Sequence, residues 1–424
     1  SEVKDLLGGD YWIDVDKFAE RDMGGLDPIP YQNNMDYYEK YGHAQAVKKG
    51  DKYSYDYYGN VLSGRGWAQY GFNLANLEIG VGGEIGHTTL WRHGLWRKGL
   101  FPDDSQGDSK KQNYLTYKVK ANFRYQLSAS HTFDANITYM QDAPAFQYAF
   151  VSPRTRNAAT PGVDTEKVFG VDASYNFRSG DFRARVSGYY TTFRDQTKVI
   201  SYYDDVEATF SNFAMSGIDK RHFGLELAAS VPLYEGLSLK GALSWGQYTY
   251  NSNPDYIQLQ DNSGEIKNEG KVYWKNKRVE STPQLAANIG LSYRSRNNIF
   301  ISLDGNFYDN MYLSMSPLYR TDAVLTQGMT QEEIAAIRNQ EKFGSAFVMN
   351  ASIGKNWYIQ RKYTLGFSLS VDNLLNNQGI KTGGYEQIRL LKNKEQSTLT
   401  YEPFDAKYFY MLGTNYYLNL YFRF

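Results

Sequence analysis

From about Tyr53 onward, apolar and polar residues alternate with a period of two, the spacing that sends successive side chains to opposite faces of a β-strand. The C-terminus shows it most clearly. Tyr416, Leu418, Leu420, Phe422 and Phe424 share one face, while Asn415, Tyr417, Asn419, Tyr421 and Arg423 share the other. Phe182, Ala184, Val186 and Gly188 likewise stand against Arg183, Arg185 and Ser187, and Phe223, Leu225, Leu227 and Ala229 against Gly224, Glu226 and Ser230. Leu237, Leu239, Gly241, Leu243 and Trp245 oppose Ser238, Lys240 and Ser244; Leu365, Phe367, Leu369 and Val371 oppose Ser368, Ser370 and Asp372. Runs of about 9 to 11 residues with one lipid-compatible and one water-compatible face match tilted strands that cross a bilayer. Strands of soluble sandwiches are shorter, about five or six residues.

The connections alternate as well. Short polar turns fit at 73–76, 128–131, 178–181, 233–236, 294–297 and 359–362, whereas the stretches near 99–112, 150–164, 200–212, 250–280, 314–344 and 377–406 are long. A transmembrane barrel has this asymmetry, with short periplasmic turns and long outer loops. The expected fold class is therefore all-β, a transmembrane antiparallel β-barrel in which two strands per turn and one final strand make about thirteen. Bacterial single-chain barrels close with an even number. The odd count predicts that the chain begins in an outer loop, residues 1–52, and that 53–424 form the C-terminal part of a barrel whose C-terminus is periplasmic. If the closed barrel has 22 strands, as plugged transporters do, about nine strands and the plug lie outside this chain. One helix is predicted in the 314–344 loop, where Thr330 and Glu333 form a capping box ahead of Ile334 and Ile337.

Composition narrows the alternatives. The 424 residues are 42% hydrophobic and 16% aromatic, with 38 Tyr against 23 Phe and 7 Trp, a bias that suits strands and membrane interfaces. No apolar run approaches the roughly 18 residues of a spanning helix, and the mean hydropathy of -0.59 is that of a water-preferring average residue. The absence of cysteine removes disulfides and thiolate chemistry. Forty-six basic and 46 acidic residues cancel, so no global field argues for nucleic acid. Ser1-Glu2-Val3-Lys4-Asp5 carries neither the basic nor the apolar region of a signal peptide.

Candidate chemistry is sparse. His87 and His93 would share a strand face but lie roughly 20 Å apart along it, too far for one metal. His43, His131 and His222 have no partner at ligand spacing, so no metal site is expected. Asp103, Asp104, Ser105 and Asp108 offer oxygen ligands for calcium in an outer loop, although their spacing is not that of an EF-hand. No nucleophile stands beside a histidine at the outer rim, so no enzyme is expected. Arg183, Arg185, Glu226, Lys240 and Asp304 fall on the lumen-facing side. Trp91, Arg92, Trp96, Arg154 and Arg156 fall near the outer rim, where ligand capture would occur; aromatic anchoring explains the tryptophans equally well.

Several segments resemble the TonB-dependent receptors, in particular their Oar-like branch. They are Trp91 to Pro102 with Asp104 to Ser109, Ser152 to Asn157, Thr165 to Asp172, and Val371-Asp372-Asn373-Leu374-Leu375-Asn376. The terminal strand with Tyr416, Leu418, Leu420, Phe422 and Phe424 resembles the signal read by the barrel-assembly machinery. The resemblance implies active import of a nutrient across the outer membrane of a Gram-negative bacterium, with no cofactor. Its implied partners are outer-membrane lipid, an N-terminal plug with the early strands, TonB acting through that plug, and a surface lipoprotein. A passive porin, or a structural barrel anchoring a surface partner, is the alternative; a soluble β-rich adhesin is a third.

Overall fold

The computed structural model describes residues 1–6, 13–14, 34–43, 46–47, 49–205, 209–261, 263–325, 329–360, 362–393 and 400–424. Thirteen long strands follow one another: β1 Lys52–Leu74, β2 Leu77–Gly94, β3 Gln112–Ser128, β4 His131–Asp142, β5 Glu166–Ser179, β6 Phe182–Asp204 and β7 Thr209–Tyr234, then β8 Leu237–Tyr250, β9 Leu285–Arg294, β10 Ile299–Asp309, β11 Ala346–Ile359, β12 Tyr363–Asp372 and β13 Asn415–Arg423. Each pairs antiparallel with its sequence neighbours, so the order in the sheet is the order in the chain. Antiparallel neighbours need only tight turns, which sit where the sequence puts them. Ala75, Gly180, Gly236, Asn298 and Gln360 take the positive φ that such turns require.

The two faces differ as the alternation predicts. Val186, Leu227, Leu243, Ala287, Phe307 and Phe347 succeed one another in register across six strands. Leu227, Leu243 and Phe347 are about 40% exposed, so this apolar row has no protein covering it. On the other face Arg183, Ser230, Lys240, Gly290, Asp304 and Asn350 form a polar row of equal length. Gly290 makes that row possible, because a Cβ there would stand 2.3 Å from the Asp304 carboxylate. No register joins β13 to β1, so among the described residues the sheet is open.

The loop-bearing end departs from the sequence reading in two places. Residues 200–212, expected as a loop, continue β6 and β7 as a ribbon, with Tyr203 opposite Phe210. The reason lies in the 250–280 insertion, whose hairpin Asp255–Gln260 and Ile266–Lys271 pairs with residues 211–216 of β7 and extends the sheet. Glu2–Leu6 pairs with the start of β1, so part of the region expected as loop belongs to the sheet. The predicted helix is present over Gln331–Arg338 with both hydrogen bonds of its capping box. Buried apolar residues concentrate in these insertions instead of between the sheet faces.

Candidate functional site

The polar wall is the first candidate surface. Near the short turns it frames an open cavity of about 940 Å³ lined by Lys120, Asn122, Arg124, Asp134, Asn176 and Arg185 among others. Arg124 donates to Asp134 at 2.7 Å, Asn176 to the same carboxylate at 2.7 Å, and Arg185 to Ser187 and Ser174. Toward the loops Lys118 and Arg65 face Asp142 at 3.0 and 3.9 Å, and Arg65 also reaches Glu84. Arg183, Lys240 and Asp304 belong to the single row described above, and Glu226 stands two same-face pairs further from the turns, opposite Ser187 and Ser244. A wall of paired charges with little apolar surface offers hydrogen bonds along its length without a single deep pocket.

The second surface is the loop rim. Arg92 lies within the loop layer, 1% exposed. Its Nε donates to the Pro153 carbonyl at 2.6 Å and its Nη1 to the Ser105 carbonyl at 2.7 Å and to Asn157 Oδ1 at 2.6 Å, while the guanidinium stacks over Tyr57. Burial pushes this guanidinium down to about 10. Its donors clamp the 95–111 loop to the 143–165 loop, and its burial keeps it out of a ligand's reach. Gly94 is required beside it, since a Cβ there would lie 1.8 Å from the Ser105 carbonyl oxygen.

The other rim residues remain near the surface. Trp91 carries Lys111 over its ring, and Trp96 carries Lys98. Arg154 covers Tyr55 and Arg156 covers Phe101 at 5.0 Å. In the acidic loop, Ser105 accepts from the Lys98 amide and Asp108 pairs with His93 at 2.7 Å. Among the described residues no group of three or more histidines or carboxylates is arranged to hold a metal ion.

Sequence reasoning missed the second loop cluster. Arg320, fully buried, donates to both carboxylate oxygens of Glu386 and to the carbonyls of Ser316 and Asn339. A lone arginine in a long insertion, 66 residues from its partner, leaves no periodic signal.

A sheet of this order and two-faced register carries the sequence pattern described as TonB dependent receptor-like, beta-barrel, which matches residues 4–374. The chain belongs to this family. Solved structures agree in fold. The copper transporter OprC superposes with a TM-score of 0.52 at 14% identity, covering 89% of this chain and 50% of its own. The siderophore receptor PiuA from Acinetobacter baumannii gives 0.55 at 9% identity, over 89% and 45%. The ferric yersiniabactin uptake receptor FyuA from Yersinia pestis gives 0.50 at 15%, over 89% and 48%. The chain thus spans about half the length of these receptors. No curated protein matches the sequence. Members of the TonB-dependent receptor family reside in the outer membrane of Gram-negative bacteria, so the exposed apolar rows of this barrel sheet face lipid.

Proposed function

We propose that this chain forms the later strands and outer loops of a transporter that imports a nutrient across the outer membrane, drawing on energy delivered by TonB. The observation that carries the reading is the combination of family membership with a sheet apolar on one face, polar on the other and capped by folded loops at one end only. The polar wall would line the passage and the rim would meet the nutrient. No covalent chemistry is required.

The open edges at β1 and β13 bear on the remaining architecture. Lipid offers no hydrogen bonds, so unpaired strand edges are not tolerated at membrane depth. Further strands that cover them, supplied by the same gene or a second chain, in a barrel of 22 strands with a plug, are the arrangement we favour. The segments from Trp91 to Pro102 and from Ser152 to Asn157 support placement in the Oar-like branch, with a C-terminus in the periplasm. A surface lipoprotein would dock on the loop layer. Structures of this fold include copper, ferric citrate and siderophore receptors by name, which keeps the substrate class at scarce nutrients.

The full-length protein in liposomes decides between this reading and a passive porin. A plugged transporter leaves the vesicles impermeable to small sugars; swelling at porin-like rates would overturn the proposal. An upstream coding sequence without a plug and TonB-coupling segment would do the same.

A further inference from the structure

Besides a small core of Ala346, Val348 and Ile380 at the base of the last two insertions, the loop layer holds two larger apolar cores that share no residue. One gathers Leu90, Tyr114, Ala149 and Phe150, with Ala143 and Phe146 against it. The other gathers residues of β6, β7 and β8 with the three later insertions, including Phe213, Tyr250, Trp274, Leu318 and Leu390. Each core has its own buried arginine. Arg92 joins the 95–111 and 143–165 loops in the first, and the helix Met35–Tyr41 is tied to it through Arg97 on Asp36 and Glu39.

Arg320 does the corresponding work in the second. Besides gripping Glu386, it accepts the Tyr273 amide at 2.7 Å through its carbonyl, so one residue touches all three insertions. Tyr319 donates to the Arg389 carbonyl at 2.7 Å, and Arg389 in turn holds Asp205 at the tip of the β6–β7 ribbon with two bonds of 2.8 and 2.6 Å. A buried arginine with acceptors in several segments makes those segments open together, because removing any one strands the charge.

Between the two cores the contacts change character. Ser152 donates to Asp261, which also accepts from Asn212 at 2.8 Å. Arg156 lies against Gly264, where a Cβ would be 2.3 Å from its Nη1. These contacts are polar; Ser152 and Asn212 are buried, but Asp261 and Gly264 stand half-exposed at the tip of the 255–271 hairpin, where water can take over the carboxylate's bonds as the bodies part.

We propose that the outer layer consists of two rigid bodies, one built around Arg92 and one around Arg320, that part along the Ser152–Asp261 seam, and that the three later loops do not open singly. The inference concerns how the rim moves and holds whatever the transported nutrient is.

Hydrogen exchange on the full-length protein in outer-membrane vesicles tests it. Arg320→Met should raise exchange about a hundredfold in 255–260, 266–271, 315–325 and 381–390 together, while 91–98 and 146–157 stay at wild-type rates. Asp261→Ala should speed exchange at the seam amides of Arg156 and Asp261 and leave both cores unchanged. If Arg320→Met reaches the membrane poorly, Glu386→Gln, which keeps the shape and removes the charge, should show the same three-loop pattern at smaller amplitude. A response confined to 311–343, or one spreading equally into the Arg92 body, overturns the proposal, as does Asp261→Ala loosening either core.

Discussion

Replacing Leu227 by arginine tests the lipid-facing assignment most directly. Leu227 lies seven residues before Tyr234, the last residue of β7. At about 3.3 Å per residue and a tilt of about 45°, this places it roughly 16 Å from the short turn along the membrane normal, near the middle of an apolar band about 25 Å tall. Val186 and Leu243 flank it in register, and its side chain is 44% exposed with no protein above it. An arginine at such depth costs about 2–4 kcal/mol, roughly 30- to 900-fold in the folding equilibrium. Leu233→Arg, beside the turn, should cost about 0–1 kcal/mol because the guanidinium reaches the interface. Glu226→Gln, one residue away on the polar face, should stay within about 0.5 kcal/mol. Urea unfolding of the full-length protein in lipid vesicles, followed by tryptophan fluorescence, gives all three values. Should Leu227→Arg cost no more than Glu226→Gln, or Leu233→Arg cost as much as Leu227→Arg, the facing of the sheet is wrong.

Two further outcomes follow from the loop layer. Arg92→Met leaves the Pro153 and Ser105 carbonyls and Asn157 without their donor inside a closed site, a local loss of about 3–5 kcal/mol, so trypsin should cut at Arg154 and Arg156 much faster than in the wild type; equal rates would show that the clamp is not needed. Alkali should loosen the Arg320 body. Burial pushes Tyr319 up to about 12 and raises Tyr250, which also faces Glu280, and Tyr202, which also faces Asp204. A raised phenol pKa means the folded state keeps a proton the unfolded chain releases near pH 10, so stability is full below about 10 and falls as pH rises through about 12. Tyrosinate absorbance and exchange in the three insertions should change together over that window, whereas titration of these phenols near pH 10 with no loosening would contradict their burial.

How much was legible in the sequence depended on how local the signal was. The period of two assigned Leu227 and Glu226 to opposite faces, because a strand has no other way to place neighbouring side chains. The six turns followed from short polar segments, and the Thr330 helix from a cap three residues from its partner. In the loops the signal fails. Arg92 and Arg154 look alike in sequence, both basic and near aromatic residues, yet one is enclosed and the other covers Tyr55 at the surface. The ribbon of β6 and β7 beyond Ile200 exists because a hairpin some 50 residues later pairs with it.

The sequence by itself therefore determined the strand order, the two faces of the sheet and the end at which the loops lie, all consequences of side-chain period and chain connectivity. Only the tertiary structure decided that the loops fold into separate apolar cores, that Arg92 and Arg320 are buried beside the two larger ones, and that Asp261 sits between those two. Those facts rest largely on contacts between distant segments, from Arg92 with Pro153 at a separation of 61 to Arg389 with Asp205 at 184, and long-range contacts leave no periodic mark on the chain that makes them.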